Sequence, residues 1–188
     1  MLIGVDIDGV LANSGQAMLD VVNKKHGLSL WPDDVKDYWY NNPEVLPYKD
    51  LIQNEWRNSN TNGIISDCSM MPFANLFHML PGTVELVTHR HWTNYDLTVE
   101  WLFNNDFTGS FNKLVFVDGL KSSHGPWDYF IEDCQDNVLD LSSSVTKQIL
   151  LVNHPYNINL DIPGNVTRVS GWIEIIEFFK QEVIKGVI

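Results

Sequence analysis

Short apolar runs recur along the chain, each closing on a turn-forming or acidic residue. The first, Leu2 to Ile7, is broken only by Asp6 and passes into Asp8-Gly9-Val10, the pattern of a buried strand entering a tight turn. Further runs at Val84–Val87, Leu114–Val117, Tyr129–Ile131, Gln148–Val152 and Val166–Val169 predict five more strands. Between the second and third, Asn94 to Asn104 places Leu97, Trp101 and Leu102 near one face of a helix. Trp172 to Ile184 predicts a closing amphipathic helix. From about Asn13 to Leu80 the periodicity is helical and aromatic-rich, with Trp31, Tyr38, Trp39, Tyr40, Tyr48, Trp56, Phe73 and Phe77, and it ends at Pro81-Gly82.

Strands alternating with helices predict an α/β fold built on a three-layer parallel sheet, Rossmann-like in plan, with reactive residues gathered at the carboxyl ends of the strands. The helical stretch 13–80 has no place in a minimal alternation. It is expected to be a small cap inserted after the first strand, leaving 1–12 and 81–188 as the core.

Length and composition agree with one domain carrying an insertion: 188 residues, 44% hydrophobic and 19% charged. The formal charge of -12, from 24 acidic and 12 basic residues, argues against holding long nucleic acid or an anionic membrane. If the ligand is a small phosphate, a divalent cation is the natural means of reversing the local field. Cys68 and Cys134 give no disulfide framework and point to a reducing compartment. Met1 to Ala12 has two acids and no basic start, so no signal peptide is expected there, and no apolar run approaches a membrane span. The expectation is a cytoplasmic protein.

The candidate chemistry begins at Asp6-Ile7-Asp8-Gly9-Val10. Two carboxylates this close repel unless a cation or a shared proton intervenes, and an ionised Asp is a competent nucleophile at phosphorus. Acidic or hydroxyl residues also close later strands, at Thr88-His89-Arg90 and at Glu132-Asp133, with Asp136 and Asn137 following. His89, His91 and His124 lack the ligand spacing of a zinc site.

These motifs resemble those of the haloacid dehalogenase (HAD) superfamily of phosphatases. Asp6-x-Asp8-Gly9-Val10 is similar to its first motif, Leu86-Val87-Thr88 to its second, and Phe130-Ile131-Glu132-Asp133 to its fourth. The cap position and the stretch Asn153-His154-Pro155-Tyr156-Asn157 resemble the deoxyribonucleotidases and related nucleotidases. The resemblance implies Asp6 as nucleophile and Asp8 as general acid and base. It implies Mg²⁺ bound by the carboxylates of Asp6 and Asp133 and by the backbone carbonyl of Asp8.

It further implies that the Thr88 hydroxyl and the N–H of His89 bind a phosphoryl oxygen, with Asn137 supporting the metal. Lys121, in Asp118-Gly119-Leu120-Lys121-Ser122, fits the lysine of the third motif, although the stretch to Asp133 has little room for a helix and Lys113 is the fallback. Arg90 either reaches the substrate phosphate or braces the acidic cluster, and Glu132 is a further candidate near metal or substrate. The implied function is hydrolysis of a nucleoside monophosphate, 5′(3′)-deoxyribonucleotides being favoured. A phosphatase of another small ester such as a sugar phosphate, and a catalytically silent phosphate-binding module, remain as alternatives. The oligomeric state is open, a homodimer included.

Overall fold

The apolar runs become six parallel strands in a single sheet of order β3-β2-β1-β4-β5-β6. In the computed structural model, which describes residues 1–186, they are β1 (Leu2–Val5), β2 (Thr83–Thr88), β3 (Lys113–Phe116), β4 (Tyr129–Glu132), β5 (Gln148–Val152) and β6 (Val166–Val169). Side chains alternate across the sheet as the period of two requires. Ile3, Val5, Tyr129, Ile131, Leu150 and Val152 join one buried cluster, and Phe130, Ile149 and Leu151 join a second on the opposite face. The strands therefore read as continuous apolar runs, because both faces are covered.

Helices supply the outer layers. Trp101 and Leu102 of α3 (Tyr95–Asn104) and Trp172, Ile175, Ile176 and Phe179 of α5 (Trp172–Ile184) complete the first cluster. Val138 and Leu141 of α4 (Gln135–Leu141), a helix too short to stand out by periodicity, belong to the second. The α/β three-layer architecture expected from the sequence is the one observed. Gly4 is required by close packing: a Cβ there would lie 2.3 Å from the Phe130 ring on the neighbouring strand.

Residues 13–80 hold α1 (Ser14–His26), α2 (Lys49–Arg57) and short 3₁₀ turns. A third apolar cluster, separate from the sheet, forms here from Met18, Leu19, Val22, Leu30, Val35, Val45, Ile52 and Ile64. It also encloses Glu55, 1% exposed, whose carboxylate takes a hydrogen bond from Lys25 at 2.7 Å. Cys68, Ala74, Phe77 and Leu80, although inside the same helical stretch, pack in the first sheet cluster.

Strand bounds differ from the sequence reading by one or two residues, and at β1 the cause is local. β1 stops at Val5 instead of Ile7, because the Ile7 carbonyl turns to accept the N–H groups of Leu11 and Ala12 at 2.9 and 2.8 Å. β3 is shifted one residue toward the amino end, to Lys113–Phe116. From β1 the chain runs outward to β2 and β3 on one side, and later to β4, β5 and β6 on the other. The order reverses beside β1, and a crevice opens at the carboxyl ends of β1 and β4.

Candidate functional site

A cavity of about 550 Å³ occupies that crevice, between the strand ends and the helical segment. Asp6, Asp8, His89, Arg90, Asp133 and Asn137 line it from the sheet side, and Tyr38, Trp39, Gln53, Trp56 and Arg57 from the other. Its floor is made by the turn after β1. Asp6 still donates its N–H to Ile131 at 3.0 Å, as a strand residue would, and Gly9 then takes a left-handed φ of 76°. A Cβ at Gly9 would meet the Asp133 carboxylate at 2.2 Å, so glycine both makes the turn and admits Asp133 to the site.

Carboxylate oxygens of Asp6, Glu132 and Asp133 all lie within 4.8 Å of one another, and all three residues are buried. Lys121 sits among them with its side chain fully buried, its Nζ 2.9 Å from Asp6 Oδ1 and 2.7 Å from Glu132 Oε2. The other Glu132 oxygen accepts the N–H groups of Asp133 and Cys134, each at 3.1 Å. Asp133 accepts a hydrogen bond from the Tyr156 hydroxyl. Asp8 is turned away from this cluster: Arg90 grips its carboxylate in a two-point fork, Nε at 2.9 Å and Nη2 at 2.7 Å. The grouping of three acids is thus Asp6, Glu132 and Asp133, with the Asp8 carboxylate held apart.

Electrostatics follow from burial and charge count. Burial is the largest influence on Asp6 and, with Glu132 and Asp8 adding to it and Lys121 opposing, pushes its carboxyl up to about 8. Asp133 is raised well above the carboxylate range, first by burial, then by the charges of Glu132 and Asp6. Burial also works against ionised Glu132, but Lys121 and the two N–H groups outweigh it and hold the group below its ordinary value. Four carboxyl groups, Asp6, Asp8, Glu132 and Asp133, face the two buried cations Lys121 and Arg90. A hard divalent cation on oxygen ligands fits that deficit in sign, magnitude and donor type.

The remaining sequence candidates fall as follows. Thr88 is buried at the end of β2, its hydroxyl accepting the Arg90 N–H at 3.1 Å. The ring of His89 is exposed, and its Nε2 donates to the Gly119 carbonyl at 2.8 Å. Asn137 is half-buried on α4 and faces the cavity. Lys121 reaches Asp6 without a preceding helix, because a 3₁₀ turn, Lys121–His124, takes that helix's place. Lys113 is exposed at the amino end of β3, on the far side of the sheet from the site. His91 pairs with Thr93 at 2.8 Å and His124 is exposed, so neither joins the acidic cluster.

Arg90 braces the site: it is 3% exposed, lies over the Trp101 ring at 5.8 Å and also donates to Thr98 at 3.3 Å. A lysine cannot reproduce a planar fork. The acid-and-base role that the sequence resemblance implies for Asp8 predicts that Arg90→Lys lowers kcat by about 10- to 100-fold through misorientation of that carboxyl, with the melting temperature measured alongside to separate the effect from unfolding.

Contacts that the sequence reading assigned no role come from two segments. His154 Nε2 donates to the Gly9 carbonyl at 2.8 Å, and its ring stacks on Tyr156 with centroids 4.9 Å apart. From the helical segment, Tyr38 meets Tyr156 edge to face at 5.5 Å, and the Trp39 indole N–H reaches Asp136 at 2.9 Å. The first comes from strand adjacency, β5 lying beside β4, which the linear pattern does not show. Nothing in the periodicity marked the second either.

Among solved structures the chain is similar to the haloacid dehalogenase-like family protein SP0104 from Streptococcus pneumoniae, with TM-score 0.64, 14% identity, and 95% of this chain and 97% of that one covered. It is similar to YfnB of Bacillus subtilis, assigned to the HAD hydrolases and described bound to magnesium, with TM-score 0.61, 10% identity and coverage of 95% and 98%. The L-2-haloacid dehalogenase from Xanthobacter autotrophicus matches with TM-score 0.56, 15% identity and coverage of 80% and 76%. These likenesses establish the fold. No curated relative matches the chain. The family model described as 5′ nucleotidase, deoxy (pyrimidine), cytosolic type C protein matches residues 1–183. With nearly its whole length covered by that model, the chain belongs to this 5′-nucleotidase family and is a hydrolase of phosphomonoesters.

Proposed function

We propose that the protein is a magnesium-dependent nucleotidase that hydrolyses nucleoside monophosphates, deoxyribonucleotides in particular, through an aspartyl-phosphate on Asp6. The observation that carries this reading is the convergence of Asp6, Glu132 and Asp133 within 4.8 Å around the buried Lys121 ammonium, at the strand ends. Asp6 and Asp133 would hold the cation, together with the Asp8 backbone carbonyl. Glu132, with both oxygens engaged, serves mainly to hold Lys121. When bound, the cation supplies charge neutralisation for the phosphoryl group.

In the first step an Asp6 oxygen forms a bond to phosphorus as the ester P–O bond breaks, and Asp8 passes its proton to the leaving oxygen. In the second, a water oxygen bonds to phosphorus, the Asp6–phosphorus bond breaks, and the water proton returns to Asp8. Arg90, gripping both oxygens of the Asp8 carboxylate, fixes its orientation for this exchange. Lys121 holds the attacking carboxylate and offers its charge to the transferring group. Thr88 and the His89 N–H are the assigned phosphate contacts, with Asn137 on the metal side.

The helical segment acts as a lid that excludes bulk water and chooses the substrate. Of its rings, Tyr40, Tyr48 and Trp56 pack against the segment's own apolar cluster. With Tyr38 set edge to face on Tyr156, Trp39, 48% exposed and lining the cavity, is the ring assigned to stack on a base, a contact worth about 1–3 kcal/mol. Among the described residues no helix is long and apolar enough to cross a membrane. The cytoplasm is the compartment this reading assigns.

The test is phosphate release with and without Mg²⁺ across deoxyribonucleoside, ribonucleoside and sugar monophosphates. Deoxyribonucleotides should be turned over with the highest kcat/KM, and chelation should abolish the activity. Faster turnover of a sugar phosphate would transfer the assignment to that class. Mg²⁺ binding without turnover of any ester would make the chain a silent phosphate-binding module.

A further inference from the structure

The loop after β5, Asn153 to Asn157, is built as a bracket around the acidic centre. Asn157 donates through Nδ2 to the Asp133 carbonyl and to the Val152 carbonyl, both at 2.8 Å. Arg168 ties the bracket to β6, donating to Asn153 Oδ1 at 3.1 Å and to the carbonyls of Asn157 and Leu160 at 2.8 and 2.7 Å. His154 reaches back to the Gly9 carbonyl. Such fastening leaves Tyr156 little freedom, with His154 stacked on one face at an interplanar angle of 4°.

Two contacts then meet on this one side chain. Its hydroxyl donates to Asp133 Oδ2, and its ring receives the edge-to-face contact of Tyr38 from the lid. The segment carrying Tyr38 is itself held in shape, because Asp37 Oδ1 accepts the N–H groups of Trp39 and Asn41, each at 3.0 Å, and Tyr40 takes a left-handed φ of 59°. A rigid ring delivered by the lid therefore rests on a rigid ring fastened to Asp133.

We propose that Tyr156 is a positioning residue with two separable tasks, its hydroxyl orienting the metal-binding carboxylate of Asp133 and its ring seating Tyr38 of the lid. The inference rests on the reading of Asp133 as a metal ligand. A carboxylate whose Oδ2 is fixed by a hydroxyl presents its other oxygen in one orientation, and partners that orient a ligand in this way commonly govern affinity. Because hydroxyl and ring do different work, the two functions can be separated by substitution.

The experiment uses the whole chain and Mg²⁺ alone, with affinity measured by titration calorimetry and lid contact by amide hydrogen exchange of residues 37–41. Tyr156→Phe should weaken Mg²⁺ binding by about 10- to 100-fold and leave exchange at 37–41 unchanged. Tyr38→Leu should speed exchange there and leave Mg²⁺ affinity unchanged. Tyr156→Leu should do both. Each variant is compared at a temperature where circular dichroism shows it folded. Unaltered Mg²⁺ affinity in Tyr156→Phe overturns the proposal, as does unaltered exchange at 37–41 in Tyr156→Leu. An unsubstituted chain that takes up no Mg²⁺ overturns the metal assignment itself, a result distinguishable from either of these.

Discussion

Asp6→Asn is expected to eliminate phosphate release, lowering kcat on the order of 10⁴-fold or more, while the metal-free fold becomes more stable at neutral and alkaline pH. The first effect follows from the nucleophilic role proposed for Asp6: an amide oxygen in the same position cannot form the mixed anhydride. The second follows from burial, which raises the Asp6 carboxyl from 3.8 to about 8. A folded state that retains a proton the unfolded chain releases is favoured at low pH. The contribution of Asp6 is present in full below pH 3.8 and is lost progressively as pH rises toward about 8.

Asparagine has no such dependence. In chelator, the melting temperature of Asp6→Asn relative to the unsubstituted chain should climb from pH 5 to pH 8 and then level off. Mg²⁺ should raise the melting temperature of the unsubstituted chain and have little effect on Asp6→Asn, since a ligand stabilises only a state that binds it. A gap that stays constant across pH would mean that Asp6 ionises as readily in the fold as in water.

Most of the sheet was legible because strands buried on both faces must be apolar at every position, and turns interrupt them with glycine and acid. Ile3, Val5, Leu86, Ile131 and Leu150 needed no tertiary information to be recognised as core. Asp6, Asp133 and Thr88 were legible for the complementary reason, as polar residues at the carboxyl ends of such runs. Pairings across the chain were not. Asp8 and Arg90 are 82 residues apart and meet because β1 lies beside β2 with Val5 opposite Leu86, which brings the two exit turns together. Once that register is known the fork is a natural consequence; the linear pattern alone left Arg90 with two possible roles.

Glu132 shows the opposite case. As the last residue of β4, fully buried on a strand whose other members are apolar, it broke the pattern without declaring a partner. Its partner lies in a 3₁₀ turn where the sequence offered no periodicity to read. The segment 13–80 was legible as aromatic and, at α1 and α2, as helical, yet which rings face inward depends on how the irregular stretch between those helices folds back. There Tyr40 turns into the segment's apolar cluster while its neighbour Trp39 reaches across to Asp136.

Lys121→Met is expected to cost about 3–5 kcal/mol of stability, lowering the melting temperature by roughly 10 °C or more for a chain of this size. Methionine matches the lysine stem in length and would pack over Phe130, whose ring centroid lies 5.5 Å from Nζ. What it removes is the ammonium between Asp6 and Glu132, leaving the Glu132 carboxylate buried without its cation. Adding Glu132→Gln removes that unpaired charge and should recover much of the lost stability, because the two sites are directly coupled. Activity should not return in the double variant, since no cation is left to hold Asp6 against the incoming phosphoryl group. Stability restored without turnover would assign Lys121 a part in the chemistry as well as in the charge balance. Restoration of both would leave it the balancing role alone.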